Sequence, residues 1–367
     1  MKYNWQLKDW PNFGYDSRAI EGLLLESITK ISLLTGGLNE VTDQNKLETI
    51  IRIMISEALK SSEIEGEILN EDEVYSSVKN HLGIKPRVKV KDKKADAISE
   101  IIVDAYRTYN KALSKKQLNH WHSILCAGSR SIVIGSYRKH KEPMQVVSGH
   151  IGKTKIHFEA PPTSKIENEM KIFIDWFNAT ALGGTKEIKA APLRAAIAHL
   201  YFESIHPYED GNGRLGRIIA EKALSQTMGF PIMICLSQEI ESNKKLYYKA
   251  LEKAQKSNEI TEWLIYFLEL LISSVGATQK ILNFILNKSK FFELHKNELN
   301  SRQVKVINRM FEEGPSGFKG GMSASKYLKI TKCSKATATR DLADLLKKKV
   351  FKKLASRGRS TSYTLNF

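Results

Sequence analysis

The positions of apolar residues along this chain predict a mainly helical protein. Apolar residues recur at intervals of three and four, which is the spacing of amphipathic and buried helices. The predicted helices cover residues 20–34, 47–60, 96–112, 117–127, 166–179, 190–205, 215–228, 237–255, 261–299, 301–311, 323–328 and 335–348. Two other stretches, residues 145–158 and 351–365, contain short extended runs around glycines and predict β-hairpins.

Length and composition indicate more than one domain. The chain has 367 residues, of which 42% are hydrophobic, and this suffices for one large domain and one or two smaller ones. Its three cysteines, Cys126, Cys235 and Cys333, form no CxxC pair, so we expect buried thiols in a reducing compartment. The N-terminus lacks an apolar signal core, and we find no run of about 18 apolar residues. We therefore expect a cytoplasmic protein without a membrane span.

The basic charge is concentrated near the C-terminus. The net charge is +17, and residues 301–367 contain 16 Lys and Arg against 4 Asp and Glu, a net charge of +12. A positive lobe of this kind favours binding to nucleic acid, although basic surfaces also occur without a polyanionic partner.

The stretch from His206 to Arg217 (HPYEDGNGRLGR) has the residue types of a phosphate site. It joins two predicted helices, with Gly211-Asn212-Gly213 at the start of the second. The first turn of a helix carries unpaired N–H groups and the positive end of the helix dipole, so it attracts anions. Glycines allow the backbone to approach a phosphate closely. Arg214 and Arg217 can point the same way and hold further phosphate oxygens. We call residues 211–217 the phosphate cradle.

Asp210 and His206, which precede the phosphate cradle, have side chains suited to a transfer reaction. Asp210 is placed to hold Mg²⁺ between phosphates. His206 suits a general base that takes a proton from an incoming hydroxyl. The chain has no GxxxxGK[ST] sequence, so this is not a Walker loop. Each residue alone also has a purely structural explanation, as a cap, a turn or a solvated arginine. In this order, between two helices, they predict phosphate chemistry.

The same stretch resembles the signature of the Fic family, HxFx[D/E]GNGRxxR, with Tyr208 in place of the usual Phe. The resemblance covers residues 40–275 and implies a helical core that transfers AMP from ATP to a hydroxyl of a protein, either another protein or the chain itself. The GNGR form, in contrast to the GNKR-like variant of the Doc branch, favours AMP transfer over phosphate transfer. The residues implied to bind ATP are Gly211, Asn212, Gly213, Arg214 and Arg217, with Asp210 as metal ligand and His206 as catalytic base.

The helix predicted over residues 47–60 runs into an acidic stretch, which is locally unfavourable. Carboxylates at a helix C-terminus oppose the dipole, so the stretch is either a solvated helix end or has a cationic partner elsewhere. Ser61, Glu65 and Gly66 also match the Fic inhibitory motif [S/T]xxxE[G/N]. The resemblance implies that Glu65 pairs with Arg217, which would otherwise hold the γ-phosphate of ATP, so that the α-phosphate is misaligned. The motif precedes the signature, as in the branch inhibited by an N-terminal helix of the same chain.

The resemblance implies two further parts of the site. The hairpin of residues 145–158 is similar to the Fic flap, which pairs with an extended target segment by strand addition. Its candidate docking residues are Thr154, Lys155, Ile156 and His157, and we expect His157 to be a flap side chain and not a second catalytic residue. Tyr247 and Tyr248 match a tyrosine pair beside the adenosine, although two core tyrosines would give the same pattern. Residues 135–138 (GSYR) resemble a G-x-[YF]-R stretch, in which Arg138 is either structural or on the phosphate side.

The basic C-terminal segment resembles a winged helix-turn-helix, because three predicted helices precede a basic hairpin. The candidate DNA contacts are Thr337, Thr339 and Arg340 on the recognition helix and Arg357 and Arg359 at the tip of the wing. The pattern favours DNA binding, but such modules also mediate protein contacts.

The sequence thus predicts three parts: an N-terminal helical module (residues 1–37), a Fic core that includes the inhibitory helix (38–285) and a winged helix-turn-helix (300–367). The predicted function is that of a self-inhibited, Mg²⁺-dependent protein adenylyltransferase. The alternatives are a DNA-binding transcriptional regulator whose Fic core senses nucleotide, and a hydrolase that removes AMP from proteins. The identity of the target and the formation of a homodimer are left open.

Overall fold

The computed structural model describes residues 2–148, 155–354 and 361–366. The chain divides into two compact units. The first comprises Met1–Glu40 and Ile50–Thr278, and the second comprises Val41–Thr49 and Gln279–Phe367.

The protein is mainly helical, as the sequence predicts. The helices are α1 (Ser17–Glu40), α2 (Asp43–Ile64), α3 (Glu71–His81), α4 (Lys93–Arg107), α5 (Lys115–Leu125), α6 (Thr163–Ala179), α7 (Ala191–Ile205), α8 (Asn212–Met228), α9 (Leu236–Ser242), α10 (Lys244–Ala254), α11 (Thr261–His295), α12 (Ser301–Glu312), α13 (Ala324–Thr331) and α14 (Lys335–Lys347). The strands are β1 (Gln145–Ser148), β2 (Lys155–Glu159), β3 (Phe351–Lys353) and β4 (Tyr363–Leu365).

Three of the differences from the prediction concern whether a helix continues, exists or is divided. α1 continues through Gly36 and Gly37, because a glycine inside a helix costs only about 1 kcal/mol relative to alanine and ends it only when it adopts a positive φ. α3 was not predicted, since its sequence is mostly polar and Val74 and Val78 are its buried apolar residues. The helix predicted over residues 237–255 is divided into α9 and α10 at Asn243, which has φ −140°.

α7 lies in the core of the first unit. All 15 of its residues are buried, as its nearly continuous apolar sequence predicts. The buried guanidinium of Arg194 is satisfied by the carbonyls of Phe177 and Ala223, among other acceptors. α8 packs along α7. The loop between them, residues 206–211, is therefore anchored at both ends by core helices.

β1 and β2 form an antiparallel hairpin in the first unit. The N-terminal segment holds its base, because Trp5 Nε1 donates a hydrogen bond to the carbonyl of Glu159 at 2.7 Å. The neighbouring Asn4 donates from Nδ2 to Ser204 Oγ of α7 at 2.8 Å. The hairpin is thus linked to the core helix that precedes His206. Thr154, one of the candidate docking residues, lies outside the described residues.

The second unit contains α12, α13, α14 and the antiparallel pair of β3 and β4. Its core includes Phe291, Val306, Ile307, Met310, Phe311, Leu342, Leu345 and Phe351. The buried Asp341 of α14 accepts hydrogen bonds from the hydroxyl of Tyr327 and from Nε of Arg302, each at 2.8 Å. This carboxylate therefore links the three helices. Arg357 and Arg359, the predicted wing-tip residues, lie outside the described residues.

Among the described residues, α11 is long and apolar enough to cross a membrane by length and composition, a feature that was not predicted from the sequence. Its most apolar window has a mean hydropathy of 1.3, and 56% of that window is buried inside the protein. Trp263, Leu264 and Phe267 near its N-terminus are buried. Such burial is typical of a core helix.

Candidate functional site

The candidate site is built on the loop between α7 and α8. His206 follows α7 with φ 50° and ψ 61°, a left-handed conformation that is uncommon for a residue with a Cβ. Its backbone N–H still donates to the carbonyl of Phe202, and Pro207 then prevents the helix from continuing. Backbone strain of this kind is concentrated at functional sites. The end of α7 thus fixes the position of the His206 imidazole.

Asn212 and Tyr208 hold the loop in shape. The Asn212 side chain accepts from the N–H of Tyr208 at 3.0 Å and donates to its carbonyl at 2.8 Å. The Tyr208 ring stacks on His122, and its hydroxyl donates to Asn119 Oδ1 at 2.9 Å. The hydroxyl that distinguishes Tyr208 from the Phe of the Fic signature therefore has a partner. Since the side chain of Asn212 is used within the loop, only the backbone of this residue is available to ATP in this arrangement.

Arg138 anchors the same loop, and its contacts are structural. The residue is 2% exposed. Its N–H donates to the carbonyl of Pro207 at 3.0 Å, and its guanidinium donates to the carbonyls of His206 and Pro161 and to Thr163 Oγ1. Each guanidinium nitrogen makes one of these bonds, and together they connect the loop to the segment after β2.

Burial governs the electrostatics of His206. Its side chain is 13% exposed, and its Nδ1 is buried without a hydrogen-bond partner among the described residues. Burial, together with the charge of Arg138, lowers the pKa of His206 to about 4. The imidazole is therefore unprotonated at neutral pH, which is the state that a general base requires.

The first turn of α8 allows an anion to approach its backbone. Gly211 precedes the helix with φ 81°, a conformation that favours glycine. A Cβ at Gly213 would lie 2.6 Å from Oε1 of Glu65. The carboxylate of Glu65 therefore occupies the N-terminus of α8, where the sequence predicts a phosphate. The helix dipole and the unpaired N–H groups stabilise an anion at this position.

Arg217 is held by the end of α2. Its side chain is 3% exposed. Its Nη2 donates to Glu65 Oε1 at 2.9 Å and to the carbonyl of Ser61 at 3.0 Å, and its Nε donates to Ser61 Oγ at 3.0 Å. Burial opposes the charge of Arg217, but the neighbouring Glu65 holds its pKa above the ordinary value. Gly66 follows with φ 83°, which turns the chain away from the helix.

A second carboxylate, which was not predicted from the sequence, holds Arg214. Oε2 of Glu67 lies 2.9 Å from Nη1 of Arg214, whose side chain is 7% exposed. The other oxygen of Glu67 accepts from Nζ of Lys94 at 2.6 Å. Both arginines of the phosphate cradle are thus paired with carboxylates that follow one another at the end of α2. The sequence signal for Glu67 was the cluster of acidic residues after α2. The inhibitory motif explains Glu65 in this cluster but not Glu67.

Asp210 is the exposed carboxylate of the site. Its side chain is 61% exposed, and Oδ1 accepts the N–H of Gly211 at 2.6 Å and lies 3.5 Å from Nη2 of Arg214. In the described part of the chain, no group of three or more His, Cys, Asp or Glu could hold a metal ion. A single carboxylate beside a phosphate site nevertheless fits Mg²⁺, which takes one or two carboxylates and completes its coordination with substrate phosphates and water.

The two tyrosines predicted beside the adenosine differ in exposure. Tyr247 is 1% exposed, and its hydroxyl lies 2.8 Å from Nε2 of His199. Tyr248 is 40% exposed. Consecutive residues of a helix point about 100° apart, so two adjacent side chains do not share one exposed face. Tyr247 is therefore buried in this arrangement and its contact with adenosine stays a prediction, whereas Tyr248 is the one of the pair that exposes its ring.

The described part of the flap is tied to α10. His157 Nδ1 lies 2.7 Å from Oε2 of Glu252, whose other oxygen accepts from Lys256 at 2.7 Å. The hydrogen bonds from Lys256 and His157 lower the pKa of Glu252 to about 2. Lys155 and Ile156 are exposed on the same strand. β2 therefore lies beside the helix that carries Tyr248.

In the second unit, the predicted DNA-contacting residues of α14 have different environments. The hydroxyl of Thr337 lies 2.9 Å from Ser334 Oγ, and this oxygen also accepts the N–H of Thr337. Thr337 thus belongs to the N-terminal cap of the helix. Thr339 and Arg340 are exposed and remain candidates for contact with a ligand.

Comparisons with known proteins match two segments of the chain. Residues 112–224 match the model of the Fic/DOC family, and residues 3–84 match a domain of unknown function, DUF4172. A probable protein adenylyltransferase of Aquifex aeolicus is 27% identical over 143 residues, which are 39% of this chain and 40% of the relative. The protein adenylyltransferase Fic of Nematostella vectensis is 29% identical over 145 residues, which are 37% of this chain and 32% of the relative. The chain thus spans two fifths or less of the length of these relatives.

Solved structures have the same fold. A Fic family protein from Desulfovibrio desulfuricans aligns over 94% of this chain and 95% of its own, with a TM-score of 0.53 and 19% identity. A Fic domain containing signaling protein from Bacteroides thetaiotaomicron aligns over 69% of this chain and 97% of its own, with a TM-score of 0.50 and 19% identity. Glu65 and Glu67 fall within the DUF4172 match, and the loop of the site falls within the Fic/DOC match. The segment that matches the Fic/DOC family model therefore carries His206 and the phosphate cradle.

Proposed function

We propose that this protein is a self-inhibited protein adenylyltransferase, which transfers AMP from ATP to a Ser, Thr or Tyr hydroxyl of a protein. The observation that carries the proposal is the pairing of Arg214 and Arg217 with Glu67 and Glu65 of the same chain. A carboxylate held by an arginine stands in for a phosphate oxygen, because both are oxyanions that accept the same charge-assisted hydrogen bonds. Two relatives whose names describe protein adenylyltransferases support AMP transfer in general.

In the proposed reaction, the phosphate cradle binds the phosphates of ATP through the first turn of α8 and its two arginines. Asp210 would hold Mg²⁺, which when bound neutralises phosphate charge. His206 accepts the proton of the target hydroxyl at Nε2. The hydroxyl oxygen forms a bond to the α-phosphorus, and the bond from the α-phosphorus to the bridging oxygen breaks. Pyrophosphate leaves with that electron pair.

The same carboxylates account for self-inhibition. While Arg217 is bonded to Glu65, it does not hold the γ-phosphate. In-line attack requires reacting atoms about 3–3.5 Å apart and aligned, so a shifted triphosphate does not react. Glu67 inhibits in the same way by holding Arg214, the second arginine of the phosphate cradle.

The position of the isotopic label tests which group is transferred. We expect the Glu65→Gly variant, with Mg²⁺ present, to incorporate label from α-³²P ATP into protein and none from γ-³²P ATP, because the bond that breaks lies between the α- and β-phosphates. Gel autoradiography measures both, and chelation of Mg²⁺ serves as the control that removes incorporation. Incorporation of the γ label would mean phosphate transfer and would contradict the proposal.

DNA binding is a second proposed function, assigned to the second unit. Two observations favour it. Residues 301–367 carry a net charge of +12. Three helices and a two-stranded antiparallel sheet are the elements of a winged helix-turn-helix. Arg340, exposed on α14, is the described residue that we expect to contact a DNA phosphate.

The Arg340→Ala variant of the full chain tests DNA binding. We expect it to bind a short DNA duplex more weakly and to lower the slope of log affinity against log salt concentration by about one, since one phosphate contact is lost. Fluorescence anisotropy at several salt concentrations measures both. Arg309→Ala is the matched control, because Arg309 pairs with Glu313 at 2.7 Å. Identical slopes for the wild type and Arg340→Ala would contradict this assignment and favour protein contacts instead.

A further inference from the structure

The buried carboxyl group of Glu203 contacts the candidate base but belongs to no part of the phosphate cradle. Glu203 lies in the last turn of α7 and is 4% exposed. Its Oε2 is 3.8 Å from Nδ1 of His206. Its Oε1 and the Nδ1 of His206 are both buried without a hydrogen-bond partner among the described residues, although the backbone carbonyl of Glu203 also faces the imidazole and raises its pKa. Unsatisfied buried polar atoms are rare in native proteins, so these two call for an explanation.

The neighbouring helix makes room for this carboxyl group. A Cβ at Gly216 of α8 would collide with Oε1 of Glu203. The backbone at Glu203 is held independently, because its carbonyl accepts from Nε2 of Gln255 at 3.1 Å. The carboxyl group is therefore not needed to fix the end of α7, and its position beside the imidazole calls for another explanation.

We propose that Glu203 is a positioning residue for His206: its carboxylate accepts a hydrogen bond from Nδ1–H and so leaves Nε2 free to accept the proton of the target hydroxyl. This inference rests on the proposed role of His206 as general base. A group that fixes the tautomer and orientation of a catalytic imidazole is a recurring arrangement. The distance of 3.8 Å must shorten, and catalytic hydrogen bonds that are long in free enzymes tighten in their complexes.

The protonation state of Glu203 then controls the base. The charged and titratable groups that face the pair are Arg138, Arg217, Glu65, Asp210 and, from α10, Tyr247 and Tyr248. Burial raises the pKa of Glu203 to about 8, against the opposing effect of Arg217. A protonated carboxyl group can donate to Nδ1, which places the imidazole proton on Nε2 and removes the base. The rate of transfer therefore rises as the pH rises through the pKa of Glu203.

Substitutions of Glu203 in the Glu65→Gly background test the inference. We expect Glu203→Ala to lower kcat for AMP incorporation about 100-fold, with KM for ATP unchanged, because the base loses its orientation while the phosphate cradle is intact. Glu203→Gln keeps an acceptor oxygen that does not titrate. It is expected to recover part of the rate and to lose the rise with pH that the parent shows between about pH 6 and 9.

A second measurement does not depend on activity. Nitrogen NMR of protein with ¹⁵N-labelled histidine shows which ring nitrogen of His206 is protonated, and His206→Ala assigns its signals. Above the pKa of Glu203 we expect the Nδ1–H tautomer in the parent and in Glu203→Gln, and the Nε2–H tautomer in Glu203→Ala. An unchanged tautomer in a folded Glu203→Ala protein, checked by its melting temperature, overturns the inference whatever the rate. No incorporation by the Glu65→Gly parent would contradict the proposed function, and the tautomer would still decide the role of Glu203.

Discussion

Replacing Glu65 with glycine is expected to raise the rate of AMP incorporation from ATP by about 10- to 100-fold. The change releases Arg217 from the carboxylate, while the bonds from Arg217 to Ser61 stay in place. A hydrogen bond to a charged group contributes about 1.5–3 kcal/mol, and each 1.4 kcal/mol corresponds to about a factor of ten, which gives the expected size. The measurement is the initial rate of α-³²P incorporation by wild type and variant, side by side, with Mg²⁺.

Glu63→Gly provides the matched control for this experiment. Glu63 lies in the last turn of α2, two residues before Glu65, but it pairs with Lys60 at 2.6 Å and is 44% exposed. The same substitution there should leave the rate near that of the wild type. Equal rates for the wild type and Glu65→Gly would remove the claim of self-inhibition and keep the transferase. No incorporation by the wild type or by either variant would favour the DNA-binding regulator or an enzyme whose donor is not ATP.

Glu67→Gln extends the experiment to the second arginine of the phosphate cradle. A smaller increase is expected, because the amide introduced by this substitution would still offer a neutral acceptor and Arg214 keeps Asp210 at 3.5 Å. The double variant with Glu65→Gly measures whether the two pairs act together. Neighbouring residues that act as one unit give non-additive effects, whereas independent contacts add. Additive rate gains would mean that Glu67 and Glu65 restrain the two arginines separately.

The core helices could be predicted from sequence, but the end of α2, which carries the inhibitory motif, could not. α7 was predicted within one residue because burial on all sides leaves a continuous apolar run. α2 was predicted to end at Lys60 and continues to Ile64. Its last turn is polar and is held by distant groups: Ser61 by Arg217, and the carbonyl of Ile64 by Nζ of Lys244. Local helix propensity does not include contacts with residues distant in sequence. The positions of helix ends that depend on such contacts therefore cannot be predicted from local sequence.

The same distinction applies within the site. The contact between Glu65 and Arg217 was predicted because a motif records it, and the structure contains it at 2.9 Å. The contact between Glu67 and Arg214 was not predicted, because it depends on the turn at Gly66 and on Lys94 from another helix. The sequence alone shows that acidic residues cluster here. The fold determines that Glu65 pairs with Arg217 and Glu67 with Arg214.

Replacing His206 with alanine in the Glu65→Gly background is expected to lower AMP incorporation by about 10²- to 10⁴-fold, the usual contribution of a general base. The pKa of His206, about 4, leaves its imidazole uncharged, and the rates are compared at a pH above the pKa of Glu203, where Nε2 is free to accept a proton. Affinity for ATP should persist, because Arg138 and Asn212 hold the loop through backbone groups that the substitution keeps. Incorporation rates and equilibrium binding of ATP are measured on the same preparations.

His120→Ala is the control for this last prediction, since His120 is exposed on α5 and should tolerate the change without loss of rate. The combination of measurements separates two causes of inactivity. Lost incorporation with retained ATP binding means that the base is missing, whereas loss of both means that the loop between α7 and α8 no longer holds its shape. Incorporation at the parent rate would contradict the assignment of His206, and the role inferred for Glu203 would fall with it, because a positioning residue has no function without the base that it positions.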